Sequence, residues 1–551
     1  MKQNILRIVV ITIALLVLTA GYNPAAAADA VVGNGTPASC TEAAFDSALL
    51  AASTGGGTIT FNCGPNPATI QLSIAKLVTL SDVTIDGGDR ITLNAGNNDR
   101  HFFAGPGVTF ELRHLTLRDG NSLVNGGAIE ASGADVILDS VHLGNNYSTV
   151  SGGAIYCYDG TLTIRDSTFE NNGASTGGAI YNDGCAVTID GSRFLANEAL
   201  DTLGRGGAIN NAPPGTVAMT GSLLQGNRAP DGGGLYVDSG ATADLVRVTF
   251  RDNSGNHGGG LENAGTTTAR DSLFEENTVT GSGGGLWNFG GQLTLRRTTV
   301  RANTAHEGGG INSYGSQLNL TDVNIINNVA EGTHGGGLYH GGGTAFVANA
   351  TISGNRATDA NGNGGGIYQY SDDNLTLTNV TLAENEAGFF GGGLFHYGRY
   401  AILTHVTLVD NVAGAAGDAI YDDSPMTPAN PGVVQIANSV IAGSTNTFCG
   451  GLFQSLGHNI SNGPCVALNH PTDRENYAGD LGLGALGFNG GDFIMNTILP
   501  EAGSPLIDAA DAALCPALDQ RGAARVGACD IGAVEYDPNA IRTLFLPAIA
   551  R

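Results

Sequence analysis

The sequence predicts an all-β protein built as a single-stranded parallel β-helix, in which every coil of the chain contributes three short strands. Three periodic features predict this fold. A Gly-Gly pair recurs every 25 to 29 residues, an asparagine recurs with a matching period, and most periods hold three apolar points separated by turn residues. Three strands of three to five residues and three turns consume roughly 25 residues, so one period corresponds to one coil.

Other repeat architectures fit the sequence less well. The chain has 551 residues, of which 85 are glycine and 42% are hydrophobic. Helical repeats have longer periods and do not tolerate this much glycine. Propeller blades need roughly 40 residues or more. The composition therefore favours many tight turns around a substantial apolar core.

The N-terminus has the three-part form of a secretory signal, which we assign to residues 1–28. Lys2 and Arg7 precede an apolar run over residues 8–20, and the alanines at 25–28 offer small residues for cleavage. We expect a mature chain that begins near Asp29 and has no transmembrane span. Export allows the cysteines to form disulfides.

Residues 29–125 are expected to form an N-terminal cap and the first irregular coils. Residues 41–52 have apolar side chains at helical spacing and are the best helix candidate in the chain. Short runs such as residues 58–62 and 83–85 alternate like strands and are bounded by Gly, Asp or Asn. A cap of this kind hides the exposed edge of a solenoid.

The regular array spans residues 126–444. Its Gly-Gly elements begin at Gly126, Gly152, Gly177, Gly206, Gly232, Gly258, Gly283, Gly308, Gly335, Gly364 and Gly391, with a weaker copy at Gly417. Its asparagines are Asn146, Asn172, Asn197, Asn227, Asn253, Asn277, Asn303, Asn328, Asn355, Asn385 and Asn411. We expect these asparagines to stack at one turn as a structural ladder of side-chain amides, at a corner that needs a left-handed backbone.

Residues 445–537 lose the period and form a cysteine-containing C-terminal region, and residues 538–551 form a short apolar tail. The eight cysteines fall into neighbouring pairs: Cys40 and Cys63, Cys157 and Cys185, Cys449 and Cys465, Cys515 and Cys529. Eight cysteines allow 105 pairings, and we expect pairing between these neighbours. No C-x-x-C spacing points to a metal site.

The charge balance argues against nucleic-acid binding. The formal charge is −26, and Lys2 and Lys76 are the chain's lysines. Nucleic-acid binding needs clustered Lys and Arg that displace counterions. The acidity fits a solvated surface and leaves cations as partners.

One column of aromatic residues directly follows the inward Ile or Leu of each coil, and strand alternation points it outward. It contains Tyr156, Tyr181, Tyr236, Trp287, Tyr339, Tyr368, Phe395 and Tyr421. Stacked rings stabilise neighbouring strands. An aromatic face also suits a contact surface for polysaccharide or another surface protein. Both interpretations remain open.

No catalytic, cofactor-binding or metal-binding residues are predicted. A column of mixed charges that includes Asp139, Arg165 and Asp190 fits a surface ion-pair ladder at a turn. Its continuation contains Arg270, Asp271, Arg296, Arg297 and Asp322. The acidic pairs Asp372-Asp373 and Asp422-Asp423 leave Ca²⁺ binding open. We expect His334, His340, His396 and His405 to lie at turns or on the surface, and acid–base work together with the acidic pairs is the alternative. Gln369 occupies the His340 position in the coil between His340 and His396.

Two parts of the chain resemble known families. The Gly-Gly-Ala-Ile and Phe-x-x-Asn elements, as at residues 177–180 and 194–197, resemble repeats of the polymorphic outer membrane protein family of surface proteins. The array is also similar to right-handed parallel β-helix proteins of the pectin-lyase-like superfamily. Residues 434–536 resemble the choice-of-anchor Q domain of bacterial surface proteins, through residues 503–508, 519–522 and 529–536.

These resemblances imply a surface or secreted protein with a non-catalytic role in adhesion or interaction, which includes glycan binding. The alternative is a polysaccharide lyase or glycoside hydrolase on the same scaffold. An enzyme should concentrate carboxylates and arginine in one cleft over two or three coils. A binding protein should spread its contacts along the aromatic column, and a structural spacer should need neither.

Overall fold

The computed structural model describes residues 28–537, except 425, 428–429, 432, 444–446, 452, 467 and 492. Residues 1–27 of the expected signal peptide and the whole apolar tail lie outside the described residues. One α-helix, Glu42–Ser53, closes the N-terminal end of the molecule, one residue later than the predicted range. It begins at Thr41, whose hydroxyl accepts a hydrogen bond from the backbone N–H of Ala44 at 3.2 Å. Within the described chain, no helix has the length and apolarity of a membrane span.

The predicted fold class is confirmed, because the chain forms a parallel β-solenoid of about 16 turns with ~26 residues per turn. Three main ladders of parallel strands run along it. The first ladder follows the Gly-Gly pairs and contains Lys76–Val78, Phe102–Ala104, Ile129–Ser132, Ile155–Tyr158, Ile180–Asp183, Ile209–Ala212, Leu235–Val237, Leu261–Asn263, Leu286–Phe289, Ile311–Tyr314, Leu338–His340, Ile420–Asp422 and Cys449–Gly450.

The second ladder contains Ala30–Val32, Gly57–Phe61, Asp135–Asp139, Thr161–Arg165, Ala186–Asp190, Thr216–Thr220, Thr242–Val246, Thr266–Arg270, Val433–Ala437 and Phe453–Gly457. The third contains Ala68–Gln71, His142–Gly144, Thr168–Glu170, Arg193–Leu195, Leu223–Gln225, Thr249–Arg251, Leu273–Glu275, Val440–Ala442 and Ile460–Ser461. Long strands serve more than one ladder: Val83–Asn94, Thr109–Arg118, Gln292–Arg301, Ser316–Ile326, Gly343–Ser353, Ile367–Ala383 and Leu394–Val409. The ladders therefore continue past residue 444.

A fourth, shorter ladder was not predicted from the sequence. It follows the asparagine of each coil and contains Asn121–Ser122, Tyr147–Ser151, Gly173–Thr176, Glu198–Ala199, Ser254–Gly255, Thr278–Val279, Thr304–Ala305, Val329–Ala330, Arg356–Ala357, Glu386–Ala387 and Val412–Ala413. Most of its strands have two residues, too few for an alternating pattern to mark them in the sequence. Two small antiparallel pairs complete the described strands: Met426–Thr427 with Asn430–Pro431, and Gly487–Phe488 with Asn496–Thr497.

The apolar points of successive coils stack inside the solenoid. Phe169 lies on Phe194 with ring centroids 4.7 Å apart, and Phe250 lies on Phe274 at 4.6 Å. All four side chains are fully buried. Burial of a side chain of this size is worth about 1.5–3 kcal/mol, so the repeated columns supply the main stabilisation of the rod.

The eleven predicted asparagines form one continuous buried ladder. The Asn303 Oδ1 atom accepts hydrogen bonds from the backbone N–H and the Nδ2 of Asn277, at 3.0 and 2.9 Å. The residue before each asparagine, and not the asparagine itself, takes the left-handed conformation in most coils, as at Asn171 with φ 53°. The Gly-Gly corner is equally tight, because a Cβ on Gly153 would lie 2.1 Å from the Gly178 carbonyl oxygen.

Four disulfides join Cys40 to Cys63, Cys157 to Cys185, Cys449 to Cys465 and Cys515 to Cys529. Each joins nearest neighbours in sequence. The first lies in the N-terminal cap, and the second links adjacent coils, from the first-ladder strand Ile155–Tyr158 to the turn after Ile180–Asp183. The other two lie in the C-terminal part of the chain.

The described part of residues 468–537 is called the C-terminal strap. It first stacks on the last coil, where Arg474 pairs with Ile460, and then lies along the outer side of the third ladder. Gln520 donates to the Ala350 carbonyl and to the Thr351 hydroxyl, both at 2.8 Å. The backbone N–H of Ala533 donates to the Thr407 hydroxyl at 2.9 Å. The strap also forms a small apolar cluster around Leu506. These contacts bury the outward-facing threonines of the late coils. The threonines at the equivalent position in earlier coils are partly exposed to solvent.

Candidate binding surface

The predicted aromatic column lies on the outer side of the first ladder, but its rings differ in exposure. Tyr236, Tyr368 and Phe395 are buried. The half-buried members are Tyr156, Tyr181, Trp287, Tyr339 and Tyr421. Polar residues occupy the same column in the coils between, for example Glu262, which is in register with Tyr236 and Trp287. The column is therefore two separate ring stacks and two isolated rings.

The longer stack runs through four successive coils. Ring centroids are 5.0 Å apart for Tyr339 and Tyr368, 5.0 Å for Tyr368 and Phe395, and 5.9 Å for Phe395 and Tyr421. Tyr156 and Tyr181 form the shorter stack at 5.7 Å. Parallel strands in register impose these separations, so stacking follows directly from the repeat.

A second set of side chains covers several of these rings. It stands directly before the Gly-Gly pair of each coil and reaches the ring of the following coil. The ring centroids of His257 and Trp287 are 4.3 Å apart, as are those of His334 and Tyr368. The Phe390 and Tyr421 centroids are 4.1 Å apart, and the guanidinium carbon of Arg205 lies 4.7 Å from the Tyr236 centroid. Much of the predicted column is thus inaccessible to a ligand.

A second aromatic column, which sequence reasoning missed, provides the exposed surface. It stands two residues after the predicted column, at the end of the same strands. Phe289, Tyr314 and Tyr370 are 48%, 49% and 49% exposed, and Tyr397 is half-buried. The signal was present as aromatic residues at alternate strand positions, which point to the same side of a sheet.

The two columns together form a continuous aromatic face over five coils. We define the aromatic face as Trp287, Phe289, Tyr314, Tyr339, Tyr368, Tyr370, Phe395 and Tyr397. Ring centroids are 5.0 Å apart for Trp287 and Phe289, 6.1 Å for Phe289 and Tyr314, and 5.2 Å for Tyr370 and Tyr397.

Gly341 occupies the exposed column in the middle coil of the aromatic face. A Cβ at Gly341 would lie 2.6 Å from Tyr314 and 2.7 Å from Tyr339. The missing side chain therefore lets these two rings close over that coil. The glycine keeps the face continuous where the column has no ring of its own.

Two tyrosines in the middle of the face, Tyr339 and Tyr368, have pKa values above the ordinary tyrosine value and stay protonated. Burial raises the pKa values of Tyr339 and Tyr368, and the negative charge of Glu307 raises them further. The face thus offers apolar ring surface with neutral hydroxyl groups. This combination suits a ligand with both apolar and hydroxyl-bearing surfaces.

A cluster of charged residues lies beside Tyr236, before the aromatic face begins. Glu262 is 4% exposed, and its Oε2 atom has no hydrogen-bond partner among the described residues. Burial is the main cause that raises the pKa of Glu262 well above its ordinary value, and nearby Asp231 raises it further. Burial also raises the pKa of Asp231. Arg205 and His257 border this cluster.

The expected turn or surface position is wrong for three of the four histidines. His340, His396 and His405 are fully buried, and His334 stacks on Tyr368. His340 and His396 lie in one inward column with Gln369. The coil can enclose these polar side chains because they form hydrogen bonds inside it.

The acidic pair at 422–423 divides between the interior and the surface. The Nδ1 atom of His396 lies 2.9 Å from both Asp422 Oδ1 and Ser424 Oγ. Because both partners contact the same ring nitrogen, they cannot pass a proton from one side of the imidazole to the other. Asp423 is exposed. The side chains of Asp372 and Asp373 lie outside the described part of the structure.

Two further groupings are less suited to a functional site. His405, Cys515 and Cys529 lie close together within the described chain, but the two cysteines share a disulfide and offer no thiolate. The mixed-charge column contains a surface ion pair in which Arg297 donates to Asp271 at 2.6 and 2.8 Å.

A shallow groove of about 460 Å³ follows the fourth ladder between Glu198 and Thr280, away from the aromatic face.

Comparisons with known proteins are consistent with the repeat and limited in extent. Residues 140–158 and 166–183 match the Chlamydia polymorphic membrane protein repeat. A stretch of 131 residues is 30% identical to metabotropic glutamate receptor-like protein R of Dictyostelium discoideum, and it covers 23% of this chain and 8% of that protein. The chain therefore spans less than a tenth of that relative.

Among solved structures, the A-module of mannuronan C-5 epimerase AlgE6 from Azotobacter vinelandii is similar. The likeness covers 70% of this chain and 95% of the module, at 15% identity and a TM-score of 0.30. Similarity at this level carries no information about activity. The chain thus contains repeats similar to those of Chlamydia polymorphic membrane proteins, within a parallel β-solenoid.

Proposed function

We propose that this protein acts outside the cytoplasm, at a cell surface or in secreted form, as a non-catalytic binding protein. Its aromatic face would contact an extended glycan or another surface protein. Four disulfides and the match to surface-protein repeats support the location. The expected signal peptide and the resemblance to a choice-of-anchor domain agree with it.

The observation that carries the proposal is the exposed aromatic column. Phe289, Tyr314 and Tyr370 leave about half of their surface open in coils that are otherwise densely packed. Exposed aromatic area of this extent is typical of interaction surfaces. Its repetition along the rod axis favours a ligand that is itself extended and repetitive.

The direct experiment screens the mature chain on a glycan array beside a Tyr314→Ser/Tyr370→Ser double variant. We expect the double variant to lose about tenfold or more in affinity, because two exposed ring contacts disappear. Tyr158→Ser is the matched control, since Tyr158 has the same 49% exposure at the same coil position outside the face. Equal binding by all three proteins would show that the face is not the binding surface, and no binding by any of them would favour a structural spacer.

An enzyme is the second candidate, and the cluster around Glu262 favours it. A buried carboxyl group with a raised pKa beside a second carboxyl is a common acid–base arrangement in glycoside hydrolases. Depolymerisation of a neutral or acidic polysaccharide, abolished by Glu262→Gln and retained by the third-ladder variant Glu170→Gln, would establish this activity. Unchanged polymer length would leave the binding role.

A further inference from the structure

Acidic side chains flank the aromatic face at both ends of its longer ring stack. Glu307 stands before Gly308, at the coil position from which His257 and His334 cover rings, and its Oε1 atom accepts the Ser282 hydroxyl at 2.8 Å. Asp423 is exposed and follows Ile420–Asp422, the strand that carries Tyr421 at the far end of the longer ring stack and pairs with the last strand of the face. The described face therefore combines ring surfaces with carboxylates.

The charges that act on the central rings are negative. The pKa of Tyr339 is raised by burial and then by Glu307, and that of Tyr368 by burial and then by Tyr370, Glu307 and Asp423. Arg399 is the neighbouring cation, and its guanidinium lies 5.5 Å over Tyr400, beyond the corner in the second ladder. In contrast, Arg205 lies directly over Tyr236, outside the face.

We infer that the aromatic face selects glycans that carry amino groups over glycans that carry carboxylates, an inference that rests on the proposed binding function. An ammonium group is attracted both by an aromatic ring and by a carboxylate. A uronate polymer is repelled by these carboxylates and by the overall negative charge of the protein, which is formally −26. The ligand class is thus an amino-sugar polymer whose pyranose rings contact the aromatic side chains.

The experiment compares three immobilised polymers, a glucosamine polymer, a neutral glucan and a polyuronate, at a pH where the amines are protonated. We expect the affinity order to be glucosamine polymer, neutral glucan, polyuronate. Binding to the glucosamine polymer should weaken as salt is added, because the exposed charges are screened. Tighter binding to the polyuronate would overturn the inference.

Variants separate local recognition from general attraction between an acidic protein and a polycation. Glu307→Gln and Asp423→Asn should each lower affinity for the glucosamine polymer about 2- to 5-fold and leave neutral-glucan binding unchanged. Glu170→Gln is the matched control, because it removes an exposed charge from the third ladder. Equal losses in all three variants would overturn the inference.

The failure of the inference and that of the proposed function are distinguishable. The Tyr314→Ser/Tyr370→Ser variant retains the full charge, so it should still lose most of its affinity for the glucosamine polymer. If it binds that polymer like the wild type, recognition does not involve the face and both statements fail. If the face binds neutral glucan or polyuronate best, only the inference about amino groups fails.

Discussion

Each asparagine of the ladder satisfies at least three polar groups that its corner would otherwise bury. In the coil at Asn303, these groups are the backbone N–H and the Nδ2 group of Asn277, the carbonyl of Phe274 and the Oδ1 atom of Asn328. An unsatisfied buried polar group costs about 1–3 kcal/mol, so a side chain with three partners contributes more than a single hydrogen bond suggests. This accounts for the recurrence of asparagine without any ligand.

Asn303→Ala should therefore destabilise the protein by about 2–4 kcal/mol, since no nearby group replaces the lost amide. Urea-induced unfolding measures the change. Asn361→Ala is the control, because Asn361 is exposed, and its effect should stay within about 0.5 kcal/mol. Similar effects for both variants would contradict the structural role of the ladder.

His405 links acidity to the docking of the C-terminal strap. Its Nδ1 atom lies 3.2 Å from the Gly532 carbonyl oxygen, and its Nε2 atom accepts from Asn438 at 3.0 Å. Burial, with a smaller contribution from Arg525, lowers the pKa of His405 to about 3. The unfolded chain then binds a proton that the folded chain excludes between about pH 6.5 and pH 3.

The free energy of unfolding should consequently fall as the pH decreases through this window, relative to a His405→Gln variant that keeps both hydrogen bonds. The difference has a maximum slope of about 1.4 kcal/mol per pH unit. Thermal unfolding from pH 7 to pH 4 measures it. Parallel pH profiles for the two proteins would contradict a neutral His405.

Asp530 provides a comparison of opposite sign. Burial raises its pKa to about 6, so the folded chain binds a proton more readily than the unfolded chain between about pH 3.8 and pH 6. Relative to Asp530→Asn, the wild type should gain stability as the pH falls through that window. A loss instead would indicate that Asp530 stays ionised.

At the scale of elements, polar contacts hold the strap on the third ladder. The Thr381 hydroxyl donates to Gln520 Oε1 at 2.6 Å, and the Asn379 amide donates to the Leu518 carbonyl at 2.9 Å. Arg525 forms a buried ion pair with Glu535 at 3.0 Å. Most polar groups of this interface are paired, since each buried group that lacks a partner in the described part of the chain, such as Arg525 Nε, lowers its stability.

Gln520→Ala should loosen the strap selectively, because Thr351, Thr381 and the Ala350 carbonyl lose a buried partner together. We expect amide hydrogen exchange in residues 489–537 to accelerate by about tenfold or more. Coils over residues 135–300 should exchange as before. Glu501→Gln, at an exposed strap position, is the control. Uniform acceleration over the whole chain would contradict an independently docked strap.

The same elements show what the sequence could predict. The coil, its asparagine corner and its inward apolar points follow from local periodicity, since each residue meets its counterpart one period away. The strap does not follow, because Thr351 and Thr381 meet residues more than a hundred positions later. An outward threonine has the same sequence pattern whether the strap covers it or solvent does, so the pattern does not reveal the strap.

The candidate site divides in the same way. Periodicity gave the predicted aromatic column and its outward direction, but not the covering side chains, whose reach depends on the path of the fourth ladder. His334 and Phe390 therefore hide rings that alternation alone would expose. The exposed column at Phe289 and Tyr314 was visible in the sequence only as a second, interrupted series.

At the scale of the whole molecule, the solenoid is a stack of interchangeable coils, which allows one coil to be removed. Removal of residues 258–282 joins His257 to Gly283 and deletes one 25-residue period. Asn253 then meets Asn303, and Phe250 meets Val300, so the ladder and the apolar columns stay in register. Nearest-neighbour contacts dominate such a fold, so the shortened chain should still form the β-solenoid.

We expect the shortened protein to be about 4.8 Å shorter by small-angle scattering, with the same circular dichroism per residue. It lacks Glu262 but keeps every residue of the aromatic face, so glycan binding should be unchanged if the face is the binding surface. Removal of residues 258–269, about half a period, is the control and should prevent folding, because inward and outward columns no longer match. Loss of binding in a correctly folded 258–282 deletion would instead place the functional site at the Glu262 cluster.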